Sequence, residues 1–176
     1  MPSLPLLLRP CTLADLGAVR DIYAHAVTQG TATFELEVPD VAELARRHGD
    51  VLAKGLPWLV AEQGAQVLGY AYATAFRPRP AYRFSVEDSI YLHPAAQGRG
   101  VGRMLLAELV ARCQAADARQ MLAVIGDSAN QASIGLHRAL GFEPSGTLQS
   151  VGWKFGRWLD VVLMQRPLRA GAGTPP

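Results

Sequence analysis

The 176-residue chain contains only two cysteines, Cys11 and Cys113. They lie far apart in the sequence and form no CxxC pair, so the chain has no cysteine framework of the kind that builds small secreted domains. We therefore expect two reduced thiols rather than a disulfide. We also expect no metal among the cofactors.

Long apolar runs and clusters of basic residues are also missing. No apolar run approaches the length of a membrane span, and the N-terminal segment lacks the basic start and long apolar core of a signal peptide. The formal net charge is +2, and no run of Lys and Arg forms a stripe that would follow a nucleic-acid backbone. We expect a cytoplasmic protein without membrane or nucleic-acid partners.

The remaining composition is typical of one globular domain. Hydrophobic residues make up 49% of the chain and charged residues 18%, which is too apolar for a disordered protein. A chain of this length can bury one substantial core. We assign residues 1–168 to a single domain and expect residues 169–176, which have no apolar face, to form a disordered tail.

The most informative stretch covers residues 85–106. A β-branched and aromatic strand pattern ends at His93-Pro94, and an apolar run with helical spacing begins at Val101. The connecting loop contains Gly98, Gly100 and Gly102. Its backbone N–H groups, together with the partial positive charge of a helix N-terminus, can bind one anion. The loop predicts a phosphate or pyrophosphate site, and the alternative is a turn that merely starts a helix.

Two familiar phosphate loops do not fit this stretch. A Walker loop requires Gly-Lys-Ser/Thr, but Gly102 is followed by Arg103 and Met104. The dinucleotide fingerprint requires its third glycine where Arg103 stands. The pattern that fits is Gln-x-x-Gly-x-Gly, which begins at Gln97. Here the sequence resembles the GNAT family of acetyl-CoA-dependent N-acetyltransferases, whose pyrophosphate loop has this form.

The order of predicted elements is β-α-α-β-β-β-α-β-α-β-β. The short apolar run at residues 121–125 predicts a strand buried on both faces, and with the strand before the loop it forms a βαβ unit. In the next helix, Ala132, Leu136 and Leu140 predict the buried stripe. The result is an α/β fold, a mixed sheet flanked by helices, that resembles the GNAT fold over roughly residues 6–168. The resemblance implies that two central strands splay apart at the acetyl-CoA site.

The same resemblance implies a set of cofactor-binding residues. In the family, the strand before the loop pairs its exposed backbone with the pantetheine arm, and the next helix often begins with an Asn against that arm. Asn130 is also explained as a helix N-cap, and the two roles are compatible. The expected acetyl-CoA contacts are Ile90, Tyr91, Leu92, Gly98, Arg99, Gly100, Val101, Gly102, Arg103, Asn130 and Ser133.

Glu87 is the candidate general base. Strand alternation places it on one face with Ser89 and places Asp88 on the other face. A carboxylate on a central strand costs stability unless it has a partner or a function, and acetylation needs a base to deprotonate the amine. The alternative is a buried ion pair with Arg79 or Arg83.

His137 is the second catalytic candidate. Many family members carry a Tyr at this position, shortly before the Gly-Phe that closes the helix, as the acid for the leaving thiolate. A histidine can donate a proton near neutral pH. The alternative is a structural histidine, whose ring nitrogens simply have hydrogen-bond partners within the protein.

Three longer segments, residues 81–91, 136–142 and 151–160, resemble the phosphinothricin and methionine sulfoximine acetyltransferase branch. This resemblance implies acetylation of the α-amino group of a small amino acid with a polar, tetrahedral head, by a homodimer. Phe34 is either a pocket wall or a core side chain under its loop. The expected substrate-binding residues are Phe34, Arg77, Pro78, Arg79, Tyr82, Glu87, Asp88 and Ser89.

Two alternative functions stay open. One is acetylation of protein or peptide N-termini, and the other is a non-catalytic module that binds or senses acyl-CoA. An intact loop without a base would indicate the module, so the presence of Glu87 favours an enzyme.

Overall fold

A computed structural model describes residues 5–175, and residues 1–4 and 176 lie outside the described part. The described part contains one mixed sheet and four α-helices in the predicted order. The strands are β1 (Leu6–Pro10), β2 (Trp58–Gln63), β3 (Gln66–Ala75), β4 (Ser85–Leu92), β5 (Gln120–Gly126), β6 (Glu143–Lys154) and β7 (Arg157–Pro167). The helices are α1 (Leu16–Gln29), α2 (Val41–Ala53), α3 (Val101–Ala115) and α4 (Gln131–Ala139).

The strands follow the order β1-β2-β3-β4-β5-β7-β6. Only β4 and β5 run parallel, joined through α3 in the predicted βαβ unit, and the other neighbours are antiparallel. The β4–β5 pairing extends from Ser85–Gln120 to Asp88–Ala123 and then stops. Beyond it, β4 still pairs with β3 and β5 still pairs with β7. The expected splayed pair of strands is therefore confirmed.

The helices pack on both faces of this sheet. The ring of Tyr23 from α1 lies 4.9 Å from the ring of Tyr91 on β4. Gly102 from α3 approaches Leu92, the next residue of that strand, closely enough that an added Cβ would lie 3.2 Å from it. Since neighbouring strand residues point to opposite faces, α1 and α3 lie on opposite sides of β4. The side chains of Leu105, Leu106 and Leu109 anchor α3 in the core.

Helix α4 presents a different face to the core than its sequence predicted. Ile134 and His137 are buried, whereas Ala132 is exposed and Leu136 is only partly covered. The reason is a polar contact: His137 Nε2 lies 3.0 Å from Oδ2 of the buried Asp88. This pair turns a polar side chain inward, which a search for apolar periodicity does not detect. Of the predicted stripe, Leu136 and Leu140 do pack against the core, whereas the expected burial of Ala132 was wrong.

The C-terminal residues differ from the expected disordered tail. Residues 169–175 form turns and bends, and Arg119 Nε donates to the carbonyl oxygen of Gly171 at 3.0 Å. Arg119 Nη2 also donates to the carbonyl oxygen of Thr174 at 2.7 Å. The guanidinium thus holds these turns beside β5.

Both cysteines are free, as the sequence predicted, and both are buried. Burial raises the pKa of Cys11 and of Cys113 to about 12, so both remain neutral thiols at physiological pH. No helix within residues 5–175 is long and apolar enough to cross a membrane.

Candidate active site

A cleft of about 560 Å³ opens where β4 and β5 separate. Its walls come from the end of β4, the glycine loop, the first turns of α3 and α4, and α1 with the loop that follows it. The cleft therefore reaches through the gap from one face of the sheet to the other. Most of the expected acetyl-CoA contacts line it: Ile90, Tyr91, Leu92, Gly98, Gly100, Gly102, Arg103, Asn130 and Ser133.

The glycine loop has the geometry of an anion site. Gly98 and Gly100 have φ angles of 71° and 79°, a left-handed conformation that favours glycine. A Cβ added at either position would meet no atom within 4 Å, so open space lies over both residues. Gly100 is also the N-cap of α3, where the first N–H groups lack partners within the helix. The loop thus presents backbone donors to the cleft without side chains in between.

Two of the expected contacts do not line the cleft. The Val101 side chain is 3% exposed and belongs to the hydrophobic core, because it is the first apolar residue of α3. Arg99 turns toward the β2–β3 connection, where its Nη2 donates to Gln63 Oε1 at 2.8 Å. Neither side chain therefore faces the cleft, and a contact of these two residues with acetyl-CoA stays a prediction that concerns their backbone N–H groups.

The opposite wall of the cleft was not predicted from the sequence. It contains residues of α1 and of the loop after it, and Asp127, which follows β5. Asp127 has a φ of 69°, and its carboxylate accepts hydrogen bonds from Ala129 N at 3.0 Å and Arg157 Nη2 at 2.8 Å. These donors hold the pKa of Asp127 below its usual value, the Ala129 bond most strongly. The α1 residues resemble those of any amphipathic helix, so only the fold reveals them: Ile22, His25 and Ala26.

Glu87 lies on the β4 face that also carries Tyr91 and is half-buried. Its carboxylate has no hydrogen bond or ion pair to any of residues 5–175, so the predicted alternative of an ion pair with Arg79 or Arg83 is not found. Burial raises the pKa of Glu87, the nearby charge of Asp88 raises it further, and Arg77 partly opposes both. A carboxylate without a partner and with a raised pKa is suited to accept a proton near neutral pH.

His137, the expected acid, is a buried residue. The residue is only 2% exposed, Nε2 contacts Asp88, and Nδ1 lies 2.7 Å from the carbonyl oxygen of Ser133. Burial lowers the pKa of His137, but the hydrogen bond and charge of Asp88 and the Ser133 carbonyl together raise it above its usual value. Both ring nitrogens are thus engaged, which leaves no free N–H for a leaving thiolate.

Asp88 was expected to bind substrate, and this expectation is corrected. The residue points away from the Glu87 face and is 6% exposed, with one carboxylate oxygen bonded to His137. Ser89 returns to the Glu87 face and lies opposite Tyr72 of β3.

The turn between β3 and β4 carries most of the other expected substrate residues. Arg77 lies over the ring of Phe76 at 5.1 Å, and Tyr82 meets the same ring edge-on at 5.7 Å. Arg77, Pro78, Arg79 and Tyr82 are all exposed. Because the charge of Arg77 affects Glu87, this turn lies beside the candidate base.

Phe34 packs tightly under its loop. A Cβ added to Gly152 on β6 would lie 2.2 Å from the Phe34 ring, and one added to Gly126 on β5 would lie 3.0 Å from it. Phe34 is only partly buried and belongs neither to the hydrophobic core nor to the lining of the cleft, so this contact decides between neither of its two predicted roles. Separately, no group of three or more His, Cys, Asp or Glu within the described part of the chain is arranged to hold a metal ion.

Comparison with known proteins gives matches over most of the chain. Residues 19–142 match the Acetyltransferase (GNAT) family. A phosphinothricin N-acetyltransferase of Alcaligenes faecalis is 58% identical over 92% of this chain and 82% of its own length. An L-methionine sulfoximine/L-methionine sulfone acetyltransferase of Pseudomonas aeruginosa is 41% identical over 96% of this chain and 98% of its own. A solved phosphinothricin acetyltransferase from Sinorhizobium meliloti, in complex with AcCoA, is 51% identical with a TM-score of 0.94, covering 97% of this chain and 92% of that one.

The role of the glycine loop can be tested by replacing Gly100 with Val. The branched side chain would occupy the open space over the loop, so we expect acetyl-CoA affinity to fall by about 100-fold or more, which corresponds to roughly 2.7 kcal/mol. Gly55→Val is the matched control, because Gly55 has a similar φ of 69° and open surroundings at the end of α2, outside the cleft. Calorimetry should show normal affinity for this control. Unchanged affinity in a folded Gly100→Val variant would contradict the assignment.

Proposed function

Because the chain belongs to the GNAT family of acetyltransferases, we propose that it transfers the acetyl group of acetyl-CoA to the α-amino group of a small amino acid with a polar, tetrahedral head. The observation that carries this proposal is the gap between β4 and β5, with the glycine loop beside it and with the unpaired Glu87 on β4 one residue before the pairing ends. The names of the relatives, which act on phosphinothricin or methionine sulfoximine and sulfone, support this substrate class.

Acetyl-CoA would lie along the end of β4. The backbone groups of Ile90 and Leu92 face the β5 side and have no strand partner beyond Asp88, so they are available to the pantetheine amides, whereas those of Tyr91 face β3. The loop from Gly98 to Arg103 supplies N–H groups for the pyrophosphate. When bound, acetyl-CoA supplies the thioester that the amine attacks.

Glu87 would act as the general base. An α-amino group has a pKa of about 7.7–8.0 in peptides, so most of it is protonated at neutral pH and cannot attack the thioester. Glu87 accepts that proton. Because its pKa is raised, the pKa of the base lies closer to the pKa of the amine. A module that only binds acyl-CoA needs no base, so the presence of Glu87 favours an enzyme over that alternative.

The acceptor's carboxylate would be bound by the turn between β3 and β4. Arg77 and Arg79 flank Pro78, whose ring limits the freedom of the turn, so ordering the guanidinium groups costs less entropy. A guanidinium can bind a carboxylate with two parallel hydrogen bonds. At least one of these arginines would therefore contact the carboxylate or the tetrahedral head.

Acetylation of protein N-termini is the second candidate function. One solved relative, from Brucella melitensis, is named a ribosomal-protein-alanine N-acetyltransferase and is 42% identical, with a TM-score of 0.89 over 92% of this chain and 99% of its own. Both reactions acetylate an α-amino group. They differ in that a peptide presents an amide, not a carboxylate, beside its amine.

We also propose that the protein is a homodimer of the cytoplasm. Large apolar side chains are exposed on the β6–β7 hairpin, and the rings of Trp153 and Trp158 meet edge to face at 5.2 Å. Such clusters often mark protein interfaces. Two free buried thiols suit a reducing compartment. The exposed hairpin residues are Leu148, Val151, Trp153, Phe155 and Trp158.

The dimer can be tested by sedimentation. The parent should have twice the mass of one chain, and Trp158→Glu should shift it toward the monomer because a charge cannot be buried cheaply in an apolar contact. A monomeric parent at micromolar concentration would rule out the dimer.

Replacing Glu87 with Gln tests the base. We expect turnover to fall by about 10²–10⁴-fold, the usual contribution of acid–base catalysis, with little change in acetyl-CoA affinity. The loss should shrink at high pH, where the amine deprotonates unaided. Glu108→Gln is the control, since Glu108 is a carboxylate on α3 paired with Arg112. A folded Glu87→Gln variant with a near-normal rate at neutral pH would show that Glu87 is not the base.

Replacing Arg77 and Arg79 separately with Ala tests the carboxylate contact. Each variant is assayed on an amino acid and on its amide. Loss of a charged hydrogen bond should reduce the preference for the acid by about 1.5–3 kcal/mol in at least one variant. Arg83→Ala is the matched control, because Arg83 follows the same turn and lies over Phe84 at 4.5 Å. If both variants discriminate acid from amide like the parent, the carboxylate is bound elsewhere.

A further inference from the structure

A buried acid–histidine pair lies beneath the candidate active site. Asp88 Oδ2 contacts His137 Nε2 at 3.0 Å, and the two side chains are 2% and 3% exposed. The other carboxylate oxygen, Oδ1, is buried and meets no hydrogen-bond donor within residues 5–175. Since an unsatisfied buried oxygen of a charged group costs stability, this atom requires an explanation.

Asp88, which carries this Oδ1 atom, lines a second, smaller cavity. This cavity has a volume of about 40 Å³ and lies where β4 and β5 begin to separate. It also borders Ser89, Val124 and His137, and it shares Ile90 and Ser133 with the large cleft. A polar cavity of this size has room for at least one water. The small cavity is thus the floor of the gap into which the thioester end of acetyl-CoA would enter.

The pair also connects two walls of the cleft. His137 Nδ1 lies 2.7 Å from the carbonyl oxygen of Ser133, one turn earlier in α4. Asn130 caps the same helix by accepting a hydrogen bond from Ser133 N at 3.2 Å. The ring of Phe142 meets the His137 ring edge-on at 5.0 Å and limits its rotation. A continuous set of contacts therefore runs from β4 through His137 to the first turn of α4.

We propose that Asp88 is a positioning residue for acetyl transfer, which holds His137 and the first turn of α4 against β4 and binds an ordered water through Oδ1 at the floor of the gap. The proposal rests on the proposed placement of acetyl-CoA in the cleft. It gives His137 a positioning role in place of the acid role expected from the sequence, because neither ring nitrogen is free.

The electrostatics agree with this arrangement. The raised pKa of His137 favours the imidazolium, whose two N–H groups then donate to Asp88 and to the Ser133 carbonyl. Such a charge-assisted bond fixes the ring more firmly than a neutral one. The fixed ring keeps Asn130 and Ser133 in the wall that the large cleft shares with the small cavity.

The test compares Asp88→Asn, His137→Gln and the double variant. Each is measured for single-turnover acetyl transfer and, by calorimetry, for acetyl-CoA affinity. Misplacement of reacting groups by about 1 Å can cost about 100-fold, so we expect each single variant to lose about 10- to 100-fold in transfer rate while affinity changes by less than about threefold, because the glycine loop is untouched. The double variant should lose no more than the worse single variant, since the two residues act as a unit.

His48→Gln is the matched control. His48 is also a buried histidine on a helix, with Nε2 3.1 Å from the carbonyl oxygen of Cys11, but it belongs to α2 and lies outside the cleft. We expect its transfer rate to match that of the parent. Near-parental transfer in folded Asp88→Asn, additive losses in the double variant, or a loss of affinity equal to the loss of rate would each overturn the proposal.

A crystal structure of the unmodified protein provides a readout that needs no variant to fold. A water within hydrogen-bond distance of Asp88 Oδ1 is expected, and an empty or apolar floor would overturn the proposal. Failure of the proposed function would give a different result. The affinity for acetyl-CoA would then be unchanged in Gly100→Val, independently of the results for the Asp88 variants.

Discussion

The structure depends on one feature of the sheet: the pairing between β4 and β5 ends after Asp88 and Ala123. Each strand keeps its other neighbour, β3 or β7, so the sheet remains continuous while two inner edges are left with unpaired backbone groups. Such groups need partners. The glycine loop at the end of β4 and the first turn of α4 both border this gap, so an acyl donor with amide groups can complete the interrupted pairing.

Two adjacent carboxylates acquire different roles from this geometry. Glu87 points to the face of α1, has no partner within the described residues, and has a pKa raised by burial. Asp88 points to the face of α4 and pairs with His137. Strand alternation alone separates them, so Glu87 is left without a partner while Asp88 is held by His137. We propose that this one dipeptide supplies both the base and a support for the site.

The sequence predicted the features that depend on local chemistry. Gly98 and Gly100 have the positive φ angles that a glycine loop implies, and the strand, loop and helix around them follow from periodicity. Side-chain directions set by distant partners were not predictable in this way. Arg99 turns to Gln63, His137 turns inward to Asp88, and α1 supplies a wall of the cleft, because residues far apart in sequence meet there. Arg119 likewise fixes the C-terminal turns through backbone carbonyls that no sequence pattern marks.

The central claim is that the acceptor is a small amino acid, and the release of free thiol from acetyl-CoA tests it most directly. The parent enzyme is assayed with methionine sulfoximine, methionine sulfone, phosphinothricin and peptides that begin with alanine, and kcat/KM values are compared. The account predicts that one or more of the free amino acids give the highest kcat/KM, well above the peptides. A preference for peptides, or no thiol release above background with any amine, would contradict it.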